Sequence, residues 1–141
     1  MNAPDACNEG FVRDDAVLVV VIITDEEDDH EVDSCEQLPW PGSSGEPGQW
    51  YQDLVAHKGG VETNIVRLSP IGPADAPSAC PALDKCEGGV TGAEMSPRLV
   101  EVTQMFTHGF VGRLCEPNDD TFFGEAVSVI ETACDDFEPA G

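Results

Sequence analysis

The chain has 141 residues, of which 40% are hydrophobic. This is enough for one domain with a single core and does not fit a disordered composition. Six Lys and Arg residues stand against 28 Asp and Glu, so the net charge is −22 at pH 7. Such a charge repels phosphate backbones and anionic lipid, and we expect neither nucleic acid nor membrane among the partners.

The first predicted element is a strand at Ala16 to Thr24, in which eight consecutive apolar residues precede a threonine. A strand that is apolar on both faces is typical of the middle of a parallel sheet, because helices cover it on either side. Five consecutive acids follow, from Asp25 to Asp29. Ligands of open α/β sheets bind beyond the carboxyl ends of the strands, so these acids are the first candidates for a site.

Helices and strands alternate in the rest of the chain. After a turn-rich stretch from Leu38 to Gly48, the segment WYQDLVAHKGG has an apolar stripe at helical spacing, with Gly59 as the predicted C-cap. Val61 to Ile71 is the second predicted strand. Residues 16–71 are thus expected to form a strand, an acidic loop, a helix and a strand.

The second half of the chain begins with a long predicted loop, residues 72–94, which is rich in Pro, Gly and Ala and contains Cys80 and Cys86. Residues 95–141 then predict a helix, a short strand and a C-terminal helix. Ser96 is the predicted cap of the first helix and Gly109 its end. Asp119 or Asp120 caps the last one.

The predicted order is therefore β-α-β-α-β-α. Right-handed crossovers turn this order into a three-stranded parallel sheet covered by helices, which is half of a three-layer, doubly wound α/β domain. Residues 1–15 form only a short polar arm. We therefore expect an upstream half-domain or a second chain to cover the apolar edge at Ala16–Thr24.

The strand ending in Thr24-Asp25, with the elements that follow it, resembles the second half of a von Willebrand factor type A (vWA) domain. The segments CNEGFVRDDAVLVVVIITDEEDD and FFGEAVSVIETACDDF are similar to secreted, cysteine-containing vWA-like proteins of bacteria, most of them uncharacterised. The resemblance covers nearly the whole chain, so residues 1–141 are expected to be one partial vWA-like domain. It implies a protein partner and a role in adhesion or assembly.

The resemblance also implies a divalent cation, usually Mg²⁺, at the top of the sheet. Asp25 matches the aspartate that ends the fourth strand of the family and is the best candidate ligand. The chain has no DxSxS loop, and Glu26 stands where the family commonly has a small residue. The further candidate ligands for Mg²⁺, Ca²⁺ or Mn²⁺ are the neighbouring acids Glu26, Glu27, Asp28 and Asp29.

Two other interpretations of the acidic segment stay open. One is a solvated loop in which some carboxylates cap a helix N-terminus. The other is a metal-dependent hydrolase, since Asp25 and Glu27 form the DxE that opens two-metal nuclease sites. The net charge disfavours a nucleic-acid groove, and the chain has no GxSxG, Walker A or GxGxxG motif. We therefore expect a non-enzymatic, exported binding module whose acidic top face around Asp25 binds a protein with the assistance of a divalent cation. A metal-dependent hydrolase that uses Asp25 and Glu27, or a fragment without independent function, are the alternatives.

The six cysteines favour disulfides in an oxidising compartment, because none lies in a CxxC pair and the three histidines are scattered. The expected location is outside the cytoplasm: periplasmic, secreted or lipoprotein-anchored. No apolar segment near Met1 fits a signal peptide, so we expect the chain to be the downstream part of an exported protein. The predicted topology favours, among several possible pairings, Cys7–Cys134, Cys35–Cys115 and Cys80–Cys86.

Overall fold

The computed structural model of the chain describes residues 10–30, 40–72, 92–115 and 120–139. Within these ranges the protein is a mixed α/β structure, as the sequence predicted. The strands are β1 (Leu18–Val21), β2 (Asp29–His30), β3 (Trp40–Pro41), β4 (Ile65–Ile71) and β5 (His108–Arg113). The helices are α1 (Pro47–His57), α2 (Pro97–Gln104) and α3 (Asp120–Asp135), with a 3₁₀ turn at Glu62–Asn64.

Three strands form the predicted parallel sheet, in the order β1-β4-β5. Leu18 of β1 lies opposite Ile65, and Val66 of β4 lies opposite His108. The central strand is β4, which is buried at all seven positions. The strand whose composition is typical of a sheet centre, β1, lies at an edge among the described strands.

Helices cover both faces of the sheet, because neighbouring residues of β4 point in opposite directions. On one face Ile65 packs against α1 and α2 in a core cluster completed by Leu54, Val102 and Phe106. On the other face Val66 and Leu68 pack against α3 in a cluster with Ala126 and Ala133. The described helices and sheet are therefore arranged in three layers, and none of these helices is long and apolar enough to cross a membrane.

The helix ends follow local sequence signals in part. The C-cap of α1 is Lys58, one residue before the predicted Gly59. Gly59 follows it in the left-handed conformation, with a φ of 69°, and Gly60 N donates to Val55 O at 2.9 Å, so Gly59 closes the helix from the position after the cap. Ser96 is the N-cap of α2, as predicted, but the helix ends at Gln104. Gly109 already belongs to β5, where its backbone lies against the last turn of the helix.

A small antiparallel pair, β2 with β3, was not predicted. Asp29 pairs with Pro41 and His30 with Trp40, and the two rings of the second pair lie 5.5 Å apart. Each strand has only two residues, which is too short for a recognisable periodicity. The pair joins the end of the acidic segment to the turn-rich stretch before α1.

One predicted disulfide is wrong. Cys134 is a free and exposed thiol, so it does not pair with Cys7. The reason is the rotation of about 100° per residue along α3, which turns Cys134 away from the sheet when its neighbour Ala133 is buried against it. Cys115 is disulfide-bonded. Its partner and the predicted Cys80–Cys86 pair lie outside the described residues, as do Cys35 and most of the 72–94 loop, so the Cys35–Cys115 and Cys80–Cys86 pairings stay predictions.

Candidate functional site

The acidic segment lies across the carboxyl ends of β1 and β4. Thr24 forms a parallel bridge with Ile71, and its carbonyl accepts a hydrogen bond from Gly72 N at 3.0 Å. The Asp25 carbonyl then accepts from Glu94 N at 2.8 Å, which ties the segment to the chain that leads into α2. The segment is therefore held at the edge of the sheet where ligands of α/β proteins bind.

Glu27 caps the N-terminus of α2. Its Oε2 accepts a hydrogen bond from Arg98 N at 2.7 Å, and its Oε1 accepts from Asp28 N at 2.7 Å. The N-cap residue Ser96 makes no side-chain capping bond of its own. A negative charge near the free amides of a helix start is stabilising. Glu27 is therefore an acid of this segment that caps a helix N-terminus, which is one of the interpretations that the sequence left open.

Asp28 and Arg98 form the centre of a polar cluster with Ser43, Gly45 and Trp50. Arg98 Nη1 donates to Asp28 Oδ2 at 2.9 Å, and Nη2 donates to Gly45 O at 2.7 Å. Ser43 donates to the same carboxylate from its amide at 3.1 Å and from its hydroxyl at 2.7 Å. The guanidinium lies 4.5 Å from the centroid of the Trp50 ring. We call these five residues the Asp28–Arg98 cluster.

The predicted metal ligands do not converge on one point. Asp25 and Glu26 are exposed, whereas Glu27 and Asp28 are occupied as described above. Burial, together with the nearby charges of Glu94, Glu27 and Asp28, raises the pKa of Asp29. Across the described residues, no three His, Cys, Asp or Glu side chains are grouped so that they could hold a metal ion. A divalent cation at Asp25 therefore stays a prediction, and so does the DxE hydrolase.

A cavity of about 630 Å³ lies beneath the Asp28–Arg98 cluster, between the sheet and helices α1 and α2. Its apolar walls come from the side chains of Ile22, Leu54, Leu99 and Val102. Trp50 also lines it, and its indole Nε1 donates to Ser44 O at 2.8 Å. A cavity of this size with mostly apolar walls is typical of a small-molecule site.

Arg67 places a buried positive charge in the wall of this cavity. The residue lies in the middle of β4, is 5% exposed, and its Nε has no hydrogen-bond partner. The ion pairs found in the described part of the chain involve Arg13, Arg98 and His108 but not Arg67. Burial lowers the pKa of Arg67. Sequence reasoning missed this residue, although a charge in the middle of the strand IVRLSPI was a visible signal.

The outer side of β1 is a second unusual surface. Ile22 N donates to Leu68 O at 2.9 Å and Thr24 N to Pro70 O at 3.3 Å, so the amides at even positions face β4. The alternating amides of Val19, Val21 and Ile23 therefore face the other way, where none of the described strands pairs with β1.

The side chains of these three residues are exposed on the face that α3 covers elsewhere. Val19 is 40% exposed, Val21 49% and Ile23 68%. Phe123 and Val127 of α3 are exposed as well, and a small cavity of about 180 Å³ lies between Phe123 and the first strand. We call these five residues the β1 surface. It combines unpaired backbone groups with an apolar face.

Comparisons with known proteins found no relative of this chain. No protein-family model matches the chain, and neither a curated protein nor a solved structure matches it. The resemblance to vWA domains thus stays a prediction, and the geometry of the sites is what supports a function.

Proposed function

We propose that the protein is a non-enzymatic protein-binding module that associates through the β1 surface. The partner adds a strand to the open edge of β1 and lays an apolar segment over Val19, Val21 and Ile23. The observation that carries the proposal is that the same three residues present exposed apolar side chains and outward-facing backbone groups with which no described strand pairs.

A strand edge beside an exposed apolar face favours association with another chain. Exposed strand edges pair readily with other chains, and proteins that remain monomeric protect them with charges, prolines or short strands. The β1 edge carries neither a charge nor a proline between Leu18 and Ile23, where every residue is aliphatic. An adjoining apolar face adds a hydrophobic contribution of about 25 cal/mol per Å² to any association that covers it. The surface therefore favours β-augmentation.

The resemblance to a vWA domain supports the same surface. In a doubly wound domain the two halves of the sheet meet along the first strand of each half, and the first strand of this chain is β1. We infer that the partner is the complementary half of such a sheet, supplied by the same polypeptide or by another chain. A strand parallel to β1 and a helix over Val21 and Ile23 would complete the fold.

The proposal does not include a cation. Glu27 and Asp28 are occupied by backbone amides, Ser43 and Arg98, which leaves Asp25 without grouped ligands among the described residues. Calorimetric titration of Mg²⁺, Ca²⁺ and Mn²⁺ tests this part. Binding that is lost in Asp25→Ala would restore the cation to the proposed function.

The association is tested in its simplest form, between two copies of the chain, by sedimentation velocity. At low salt the charge of −22 opposes contact between copies. In about 1 M NaCl the screening length falls to about 3 Å, and we expect concentration-dependent association. Val21→Lys places a charge on the apolar face, and Val21→Pro removes only the outward-facing amide donor, which edge strands tolerate. We expect both substitutions to weaken the association.

The matched control is Met105→Lys. Met105 is 40% exposed and lies at the end of α2, on the opposite face of the sheet. This variant carries the same charge change as Val21→Lys and should associate like the wild type. A Val21→Pro variant that associates as strongly as the wild type would refute the proposal, whereas a wild type that stays monomeric in high salt would restrict the partner to the complementary half of the sheet.

A further inference from the structure

The cavity beneath the Asp28–Arg98 cluster has apolar walls and one buried positive charge. We propose that it binds a small ligand with a single carboxylate and an apolar body. The carboxylate contacts the guanidinium of Arg67, and the apolar body lies among Ile22, Leu54 and Leu99. This site is separate from the β1 surface and does not depend on the function proposed for it.

The positive charge requires a partner that the described residues do not supply. Arg67 is 5% exposed, its Nε has no hydrogen-bond partner, and its side chain lines the cavity. Buried charges in proteins are almost always paired, because an unpaired one has lost its hydration without compensation. The guanidinium is a planar fork of donors that matches the two oxygens of a carboxylate. The missing partner is therefore an anion in the cavity.

The charges around the cavity select an anion with one negative charge. Asp28 lines the cavity but is already paired with Arg98. Asp53 also lines it, and its Oδ1 accepts a hydrogen bond from Gln49 Nε2 at 2.9 Å. One guanidinium balances one charge, and the second charge of a phosphate group would meet these carboxylates and the net charge of −22. A monocarboxylate is therefore favoured over a phosphate.

The walls of the cavity select an apolar body. The volume of about 630 Å³ is within the range of small-molecule sites. Trp50 offers the cavity an apolar ring rather than a donor, since its only N–H is bonded to the Ser44 carbonyl. Val102 is 1% exposed and Leu99 6% exposed, so the wall formed by α2 is ordered by packing.

The experiment uses three eight-carbon probes that differ in their head group: octanoate, octanol and octylammonium. Their dissociation constants are measured by calorimetry at pH 7 and low salt for the wild type. We expect octanoate to bind about tenfold or more tightly than octanol, as a charge-assisted hydrogen bond predicts. Octylammonium should bind no better than octanol, although the net charge of the protein attracts it.

Two variants locate the effect. Arg67→Met keeps a flexible, unbranched side chain but removes the guanidinium, and we expect it to bind octanol like the wild type while losing the preference for octanoate. Arg13→Met makes the same charge change at an exposed arginine outside the cavity and should keep the preference. Octanol binding also reports that the cavity of the Arg67→Met variant is intact.

Three results would overturn the proposal. The first is equal binding of octanoate and octanol by the wild type, or no binding of octanoate, and neither depends on the folding of a variant. The second is a preference for octanoate that persists in Arg67→Met. The third is octylammonium as the tightest ligand, which would assign recognition to Asp28 and Asp53 instead of Arg67.

Discussion

Arg98→Met is expected to destabilise the protein by about 2–3 kcal/mol. The substitution removes hydrogen bonds from the guanidinium to Asp28 Oδ2, to Asp28 O at 2.8 Å and to Gly45 O, and it removes the contact with the Trp50 ring. A hydrogen bond to a charged group contributes about 1.5–3 kcal/mol. The sum is smaller than three such terms, because the side chains of Arg98 and Asp28 are 16% and 21% exposed and because Ser43 still donates to the carboxylate.

The assay is equilibrium unfolding in urea at pH 7, supported by thermal unfolding. For a chain of 141 residues we expect the thermal unfolding midpoint of Arg98→Met to be lower than that of the wild type by roughly 6–9 °C, taking about 3 °C per kcal/mol. The backbone bond from Arg98 N to Glu27 is retained in the variant, so the start of α2 should survive.

Two other arginines provide the controls. Arg13 is 66% exposed in its side chain and lies 3.7 Å from Asp15, so Arg13→Met should have no measurable effect. Arg67→Met removes a buried charge that forms no ion pair with the described residues and whose Nε has no hydrogen-bond partner, so it should leave the stability unchanged or raise it. If Arg98→Met were as stable as Arg13→Met, the Asp28–Arg98 cluster would not hold the acidic segment in place.

Two further predictions concern backbone packing and pH. Gly109→Ala should lower the free energy of unfolding, measured in urea, by about 3 kcal/mol, because the added Cβ would lie 2.0 Å from the Thr103 carbonyl oxygen. Gly124 lies in α3, and a Cβ added there would have no atom within 4 Å. Gly124→Ala should therefore raise the free energy of unfolding by about 1 kcal/mol. Equal effects of the two substitutions would contradict the close approach of Gly109 to Thr103. The pKa of Asp29 is raised, so the charged form is disfavoured on folding and costs stability above that pKa. Asp29→Asn should be more stable than the wild type at pH 7. The difference should vanish as the pH falls through the raised pKa towards the ordinary value of 3.8, and a difference independent of pH would exclude this cause.

Sequence signals that act within a few residues predicted the end of α1 and the start of α2. Gly59 ends α1 because a left-handed residue closes the last turn, and Ser96-Pro97 starts α2 because the first turn needs no proline amide. The position of β1 in the sheet was harder to predict. Its composition shows that both faces of the strand are apolar. It does not show whether another strand pairs with its outer edge or whether a helix covers its exposed face.

The candidate sites depend on contacts between distant parts of the chain. Glu27 was a candidate metal ligand on its sequence alone, and its role at the start of α2 follows from a bond to a residue 71 positions later. Arg98 and Asp28 are 70 positions apart. No periodicity or motif relates residues at such separations, so the cluster could not be predicted.

The sequence by itself determined the alternation of helices and strands, the parallel sheet and the place of the acids beyond the first strand, because hydrophobic periodicity and capping residues act locally. The tertiary structure alone decided that β4 is central, that Asp28 is paired with Arg98, and that Cys134 faces solvent. It also decided that Arg67 is buried in a cavity wall, where none of the described residues pairs with its Nε. These features arise from the packing of helices and strands against one another, which brings together residues that are far apart in the chain.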